Sequence, residues 1–292
     1  MKVLINIFLS FVLLYSSAVF SQPDCKVTYI GNEGFMVETA NRKILLDAVF
    51  GGFNGTWCDV PGDEIKTKLE NAETPFDKTD LIFVSHRHSD HFNAVMVINH
   101  VINNPGCKVI CPKQTDSVLA LKQDYDRVKN NIVAVTPPPG SDTTIIVKGV
   151  EITVYRLEHS HYYEQDEKTG EKINIHRNTE NVGFLIKADG VNIFHCGDSN
   201  PMDDAEYKIF KLADKQIDIA FLERLFMYHV TAKGIEIIEN YIKPEQIILM
   251  HVEPGKAQKY KDVAGQVRDR IPDVYIFGKP MEEKTFSKRE VQ

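Results

Sequence analysis

The stretch Leu81-Ile-Phe-Val-Ser-His-Arg-His-Ser-Asp-His-Phe92 decides how the rest of the chain is read. Leu81 to Val84 is an apolar run that predicts a buried strand. Directly after it, six positions hold His86, His88, Asp90 and His91. Three imidazoles and a carboxylate this close to an apolar strand would be costly to leave unpaired in an interior. Neutral imidazole nitrogen and carboxylate oxygen are the donors that borderline ions such as zinc favour. On an extended backbone side chains repeat with period two, so His86 and His88 face one way. Asp90 and His91, past the turn, can address a second point nearby. A histidine-rich surface turn is the alternative.

Outward from this stretch, other apolar runs also end in polar donors. Val150 to Leu157 runs into Glu158-His-Ser-His161, where His159 and His161 both qualify. Val191 to Cys196 ends in Gly197-Asp198-Ser199, and Ile247 to Met250 ends in His251. Strand ends that converge on one edge are what a shared pocket requires.

His86-x-His88-x-Asp90-His91 after an apolar strand resembles the signature of the metallo-β-lactamase-fold hydrolases, and the resemblance runs in order over about residues 26 to 280. It implies an α/β (α+β) fold: a four-layer αββα sandwich of two mixed β-sheets face to face with helices outside. It implies two divalent metal ions, zinc first, with Mn or Fe as alternatives. His86, His88 and His159 (or His161) would bind the first ion, and Asp90, His91 and His251 the second, with Asp198 bridging. The chemistry implied is hydrolysis by a metal-bound hydroxide, since coordination lowers the pKa of water from about 15.7 toward 7. Asp90 is the candidate catalytic residue, orienting that hydroxide. Antibiotic-hydrolysing relatives carry cysteine or serine where Asp198 stands. The Gly-Asp-Ser turn and Met250-His251 are more similar to the branch of sugar-lactone hydrolases and N-acyl phospholipid phosphodiesterases. The bond cut is therefore expected to be an ester, lactone, amide or phosphodiester of a small molecule or lipid. An exported metal-binding protein without turnover is the competing reading.

The bounds agree. The chain has 292 residues, 43% apolar and 26% charged, enough for a sizeable core. A net charge of −7 argues against a nucleic-acid partner, which needs a basic face. Residues 1–22 read as a secretory signal peptide, with Lys2, an apolar run and small residues at Ser16-Ser-Ala18. The expected product is one domain over 23–292, periplasmic or secreted, with no stable membrane span after cleavage; an uncleaved anchor is the alternative. Five cysteines form no evident disulfide framework: Cys107 and Cys111 bracket a strand that would set them about 13 Å apart.

Several local expectations complete the picture. Gly31-Asn-Glu-Gly34 is a hairpin turn, and Asp116 to Lys129 one helix. Gly51 to Trp57 is either an apolar wall of the site mouth or a loop pinned to the core. The polar insertion Tyr162 to Glu180 is a lid or specificity element. His176 within it reads as an exposed loop histidine, His100 as a helix histidine, and His195 as a sheet support. The residues after Phe277 read as a charged tail.

Overall fold

The computed structural model describes residues 24–51 and 57–287. The expected signal peptide and the Gly52 to Thr56 portion of the glycine-rich loop fall outside them. Among the described residues no helix is long and apolar enough to cross a membrane.

The strands, in chain order, are β1 (Asp24–Gly31), β2 (Gly34–Glu38), β3 (Lys43–Leu46), β4 (Leu81–Phe83), β5 (Lys108–Cys111) and β6 (Ile132–Ala134). There follow β7 (Asp142–Val147), β8 (Val150–Arg156), β9 (Tyr163–Gln165), β10 (Lys172–Asn174), β11 (Val182–Ala188) and β12 (Val191–His195). The last are β13 (Ile219–Glu223), β14 (Gln246–Met250), β15 (Val274–Tyr275) and β16 (Glu283–Ser287). They make two seven-stranded sheets, ordered β16-β1-β2-β3-β4-β5-β6 and β15-β14-β13-β12-β11-β8-β7, and a small β9–β10 hairpin. Both large sheets are mixed. β3 to β6 run parallel in one, β12 to β15 in the other, and the remaining neighbours are antiparallel.

Period-two alternation explains the layering. Phe35, Ile44, Leu46, Leu81, Phe83 and Ile110 join the core shared with the second sheet. Their chain neighbours Met36, Leu45, Ile82 and Val109 point the other way, into a second core with Leu69, Val97, Ile98 and Val101. Those last residues belong to helices Asp63–Glu70 and Ala94–Asn103, which cover the outer face. Between the sheets, the Phe83 and Phe184 rings lie 5.0 Å apart, and Phe35 and Phe221 4.9 Å. Each such side chain contributes roughly 1.5–3 kcal/mol through burial. The two-sheet sandwich with helices outside is the one expected from the motif.

Two local expectations are corrected. The single helix over Asp116 to Lys129 is two short ones, Lys113–Leu119 and Tyr125–Val128. Leu119 and Val128 both enter the outer core. Nine residues apart on one continuous helix they would point about 180° away from each other, so the break between them is what buries both. The charged tail contains β16, which pairs antiparallel with β1 and buries Phe286. As an edge strand it keeps only one large apolar residue facing inward, which hides it from an apolar-run reading. The five cysteines are all free and buried, as expected.

Candidate metal centre

The motif turn is fixed at both ends. Upstream lies β4; downstream, the Asn93 side chain caps helix Ala94–Asn103 by accepting from the amides of Val95 and Met96 at 3.1 and 3.2 Å. Between them the amides of His91 and Phe92 both donate to the His88 carbonyl at 3.1 Å. This compact turn gathers the motif side chains at the edge where the parallel strands of both sheets end.

The other sheet supplies the rest. After β8, His159 pairs as an isolated bridge with Ser199, and the Ser160 amide donates to the Asp198 carbonyl at 2.7 Å. After β12, Gly197 turns at φ +55°, where an added Cβ would sit 2.7 Å from Ser85 Cβ. After β14, His251 adopts φ +58° and its amide donates to the Asn32 carbonyl at 3.3 Å. Non-glycine residues in this left-handed region are uncommon, and here Asn32, Asp47 and His251 all lie beside the same centre.

The expected residues come together around Asp198. His159 Nε2 is 3.4 Å from His86 Nε2, and His88 Nδ1 is 3.0 Å from that same nitrogen. Asp198 Oδ2 lies 3.9 Å from His86 Nε2 and 3.5 Å from His159 Nε2. On the other side, Asp198 Oδ1 is 3.4 Å from His91 Nε2, and Asp198 Oδ2 is 3.9 Å from His251 Nε2. Asp90 Oδ2 completes this half at 3.3 Å from His91 Nε2 and 3.6 Å from His251 Nε2. Of the two candidates after β8, His159 is in the cluster. His161 points to the rim and pairs with Glu158 at 2.9 Å.

Buried partners set the imidazole tautomers. His91 Nδ1 faces Asp47 Oδ2 at 3.0 Å, His86 Nδ1 faces Ser85 Oγ at 2.9 Å, and His159 Nδ1 faces the Ser160 carbonyl at 2.8 Å. A proton on each Nδ1 leaves Nε2 with a lone pair aimed at the centre, the arrangement typical of metal-binding histidines. Burial holds His86 and His159 below the usual imidazole range, and burial with its neighbours His159 and His91 pushes His88 down to about 3. Burial acts the same way on His91 and His251 but is outweighed. Asp90 and Asp198 raise His91, and Asp198 and Asp90 raise His251. Asp90 and Asp198 are conversely held low: burial opposes ionisation, but His91 and His251 overcome it.

The donor set also fits a metal by what it lacks. His91 Nε2, Asp198 Oδ1 and both oxygens of Glu33 are buried without hydrogen-bond partners. Buried polar atoms are nearly always paired, so a cluster of unpaired donors pointing at one another calls for a cation. His86, His88, His159 and Asp198 form one such group, and Glu33, His91, Asp198 and His251 another.

Three of the residues around the centre lie outside the motif reading. Asp47 ends β3, accepts from the Ser85 amide and hydroxyl at 2.7 and 2.5 Å, and orients His91. An apolar strand ending in a carboxylate was a legible signal for it. Asn32 and Glu33 sit in the β1–β2 turn, and nothing in Gly-Asn-Glu-Gly distinguishes them from a solvent turn. Asn32 Nδ2 donates to Asp90 Oδ2 at 3.1 Å.

Above the centre opens a cavity of about 690 Å³. Trp57, Tyr162, Ile175, His176 and Leu225 line it together with Asp90, Asp198 and His251. Trp57 stacks on the His251 ring at 5.4 Å, so of the two readings of its loop the mouth-wall one describes this residue. His176 is not an isolated loop histidine: its ring lies 4.3 Å from His159 and 4.8 Å from His88, and its Nδ1 is 3.1 Å from the Ser160 carbonyl. The β9–β10 hairpin folds back and brings it there. His100 is a buried helix histidine whose Nδ1 meets the Leu69 carbonyl, and His195 is buried in the sheet beside Asp47.

Residues 42–252 match the family described as beta-lactamase superfamily domain. The chain belongs to this superfamily. It is a metal-dependent hydrolase of that fold. Relatives include the UPF0173 metal-dependent hydrolase of Pyrococcus furiosus, 29% identical over 77% of this chain and 84% of that protein. The UPF0173 metal-dependent hydrolase of Thermococcus kodakarensis is 25% identical over 86% and 96%. Among solved structures, Igni18 of Ignicoccus hospitalis superposes with a TM-score of 0.56 at 20% identity, covering 91% of this chain and 100% of that one. The metallo-beta-lactamase fold protein YhfI of Bacillus subtilis gives 0.56 at 14% identity, covering 90% and 99%. These structures share the fold.

Proposed function

We propose that the cluster holds two divalent ions, zinc first among them, and hydrolyses an ester, lactone, amide or phosphodiester bond in a small molecule or lipid. His86, His88 and His159 would hold one ion, Asp90, His91 and His251 the other, and Asp198 would reach both through its two oxygens. The observation that carries this is the convergence of imidazole and carboxylate groups on both sides of Asp198, with unpaired buried atoms on the His91 and Glu33 side, at the floor of an open cavity. Bound there, such ions lower the pKa of water and polarise the scissile group.

The chain's own residues supply the rest. Asp47, Ser85 and the Ser160 carbonyl keep the ring protons on Nδ1, so the donors are preorganised. Asp90 Oδ2 accepts from Asn32 and faces Nε2 of His91 and of His251. The Asp90 carboxylate would orient a water and hold its proton. Trp57, Tyr162, Ile175 and Leu225 shield the reacting bond and seat an apolar substituent. A volume near 690 Å³ suits a small organic molecule or one end of a lipid.

Elemental analysis of the purified protein, with a panel of lactones, carboxylic esters, amides and phosphodiesters, tests the proposal. Two ions per chain and turnover of one class that drops at least a hundredfold in Asp90→Asn is the expected result. No stoichiometric metal after reconstitution would refute it. Full occupancy without turnover of any class would leave an exported metal-binding protein.

A further inference from the structure

Glu33 lies in the turn between β1 and β2, a place where a glutamate ordinarily points to water. Instead it is fully buried. Neither of its carboxylate oxygens has a hydrogen-bond partner. Of the donors near it, His91 Nδ1 is 3.6 Å from Glu33 Oε2, but its single proton faces Asp47 Oδ2 at 3.0 Å; His195 clusters with Glu33 and Asp47, and its Nε2 makes no hydrogen bond. The Asn32 amide goes to Asp90. A carboxylate oxygen of Glu33 nevertheless lies within 4.8 Å of ligating atoms of His91, Asp198 and His251.

We propose that Glu33 is a direct ligand of the second ion, making that position rich in carboxylate oxygen and selective for a harder metal than the first. The inference rests on the metal centre proposed above. Two buried carboxylates side by side, Glu33 and Asp198, repel each other unless a cation or a proton lies between them, and a cation satisfies both together with the imidazoles of His91 and His251. With Glu33 included, the second ion meets three carboxylates (Glu33, Asp90, Asp198) and two imidazoles. The first meets three imidazoles and the shared Asp198. Imidazole-rich sets suit zinc, whereas carboxylate-rich, higher-coordinate sets suit Mn(II). The asymmetry predicts a mixed centre: zinc held by His86, His88 and His159, manganese on the Glu33 side.

The test uses the full-length protein, stripped with chelator and then offered equimolar Zn(II) and Mn(II). Metal content is read by elemental analysis, and bound manganese by the change in its electron paramagnetic resonance signal. Wild type should take one zinc and one manganese per chain. Glu33→Gln, which keeps the shape, should retain the zinc and bind manganese at least tenfold more weakly; Glu33→Ala should do the same or worse. The retained zinc certifies that each variant is folded. Manganese binding by Glu33→Gln at wild-type strength would overturn the proposal, as would loss of both ions together or zinc in both positions of the wild type. A wild type that takes up neither metal would remove the centre itself, a result distinct from any of these.

Discussion

Asp47→Asn separates orientation of a ligand from the ligand itself. The wild-type carboxylate accepts three hydrogen bonds: Ser85 N–H at 2.7 Å on Oδ1, and Ser85 Oγ–H at 2.5 Å and His91 Nδ1–H at 3.0 Å on Oδ2. In the asparagine variant the carbonyl oxygen keeps the Ser85 amide, and the NH₂ group takes the place of Oδ2. The Ser85 hydroxyl can rotate and accept. His91 cannot adapt so cheaply: Nδ1 must give up its proton, which moves to Nε2, the atom facing Asp90 and Asp198. A protonated Nε2 cannot bind a metal. Loss of such an orienting partner lowers affinity about 10–100-fold, which is about 1.4–2.8 kcal/mol. The expected outcome is a folded protein that keeps the ion at His86, His88 and His159 but releases the one at His91. Unfolding stability should fall by only about 1–2 kcal/mol, the cost of one weakened buried network. Asp47→Ala, by contrast, orphans three buried donors at roughly 1–3 kcal/mol each, most of a typical domain's 5–15 kcal/mol, and should not accumulate as folded protein. Metal titration of the stripped Asn variant, followed by elemental analysis and thermal unfolding, reads all three quantities. Wild-type affinity at both positions, or loss of the His86 ion first, would refute the tautomer argument.

Three further outcomes follow from the same geometry. In the metal-free protein His91 and His251 hold protons more tightly than free imidazole, while His86, His88 and His159 hold them more weakly, His88 only down to about 3. Protons therefore compete with the second ion from higher pH than with the first, and stepwise acidification in chelator should release the His91/His251 ion before the other; simultaneous release at every pH would contradict this. Gly197→Ala places a Cβ 2.7 Å from Ser85 Cβ at φ +55°, so about 1–3 kcal/mol of strain and a displaced Asp198 should lower both thermal stability and metal content, with an unchanged melting curve counting against it. Trp57→Ala removes the exposed ring stacked on His251 and should raise KM severalfold for whichever substrate is turned over while both ions stay bound; an unaltered KM would mean the ring is not a substrate wall.

The sandwich and the principal donors were legible because they follow rules of short range. Leu81–Val84 is apolar and ends in histidines, and Ile247–Met250 ends in His251, so strand and site are announced together. The choice between His159 and His161 was not, since both leave the strand on the same face. It is set by the bridge of His159 to Ser199, forty residues away. Glu33 and His176 were hidden for a related reason. Their roles come from where a turn and a hairpin fold back, which no neighbouring residue encodes. Asp47 lies between these cases, carrying the strand-end pattern without a histidine to mark it.

The centre straddles the two sheets: Glu33, His86, His88, Asp90 and His91 come from the first half of the chain, His159, Asp198 and His251 from the second. A nascent chain that has emerged only through β6 owns two of the four ligands proposed for one ion and three of the five proposed for the other, and neither partial set can retain an ion tightly. Loading is thus postponed until the second sheet has been made and has docked. Metal uptake then serves as a clock for sheet docking. Rapid-mixing uptake kinetics on refolding protein should track burial of Phe83 against Phe184 rather than formation of either sheet by itself.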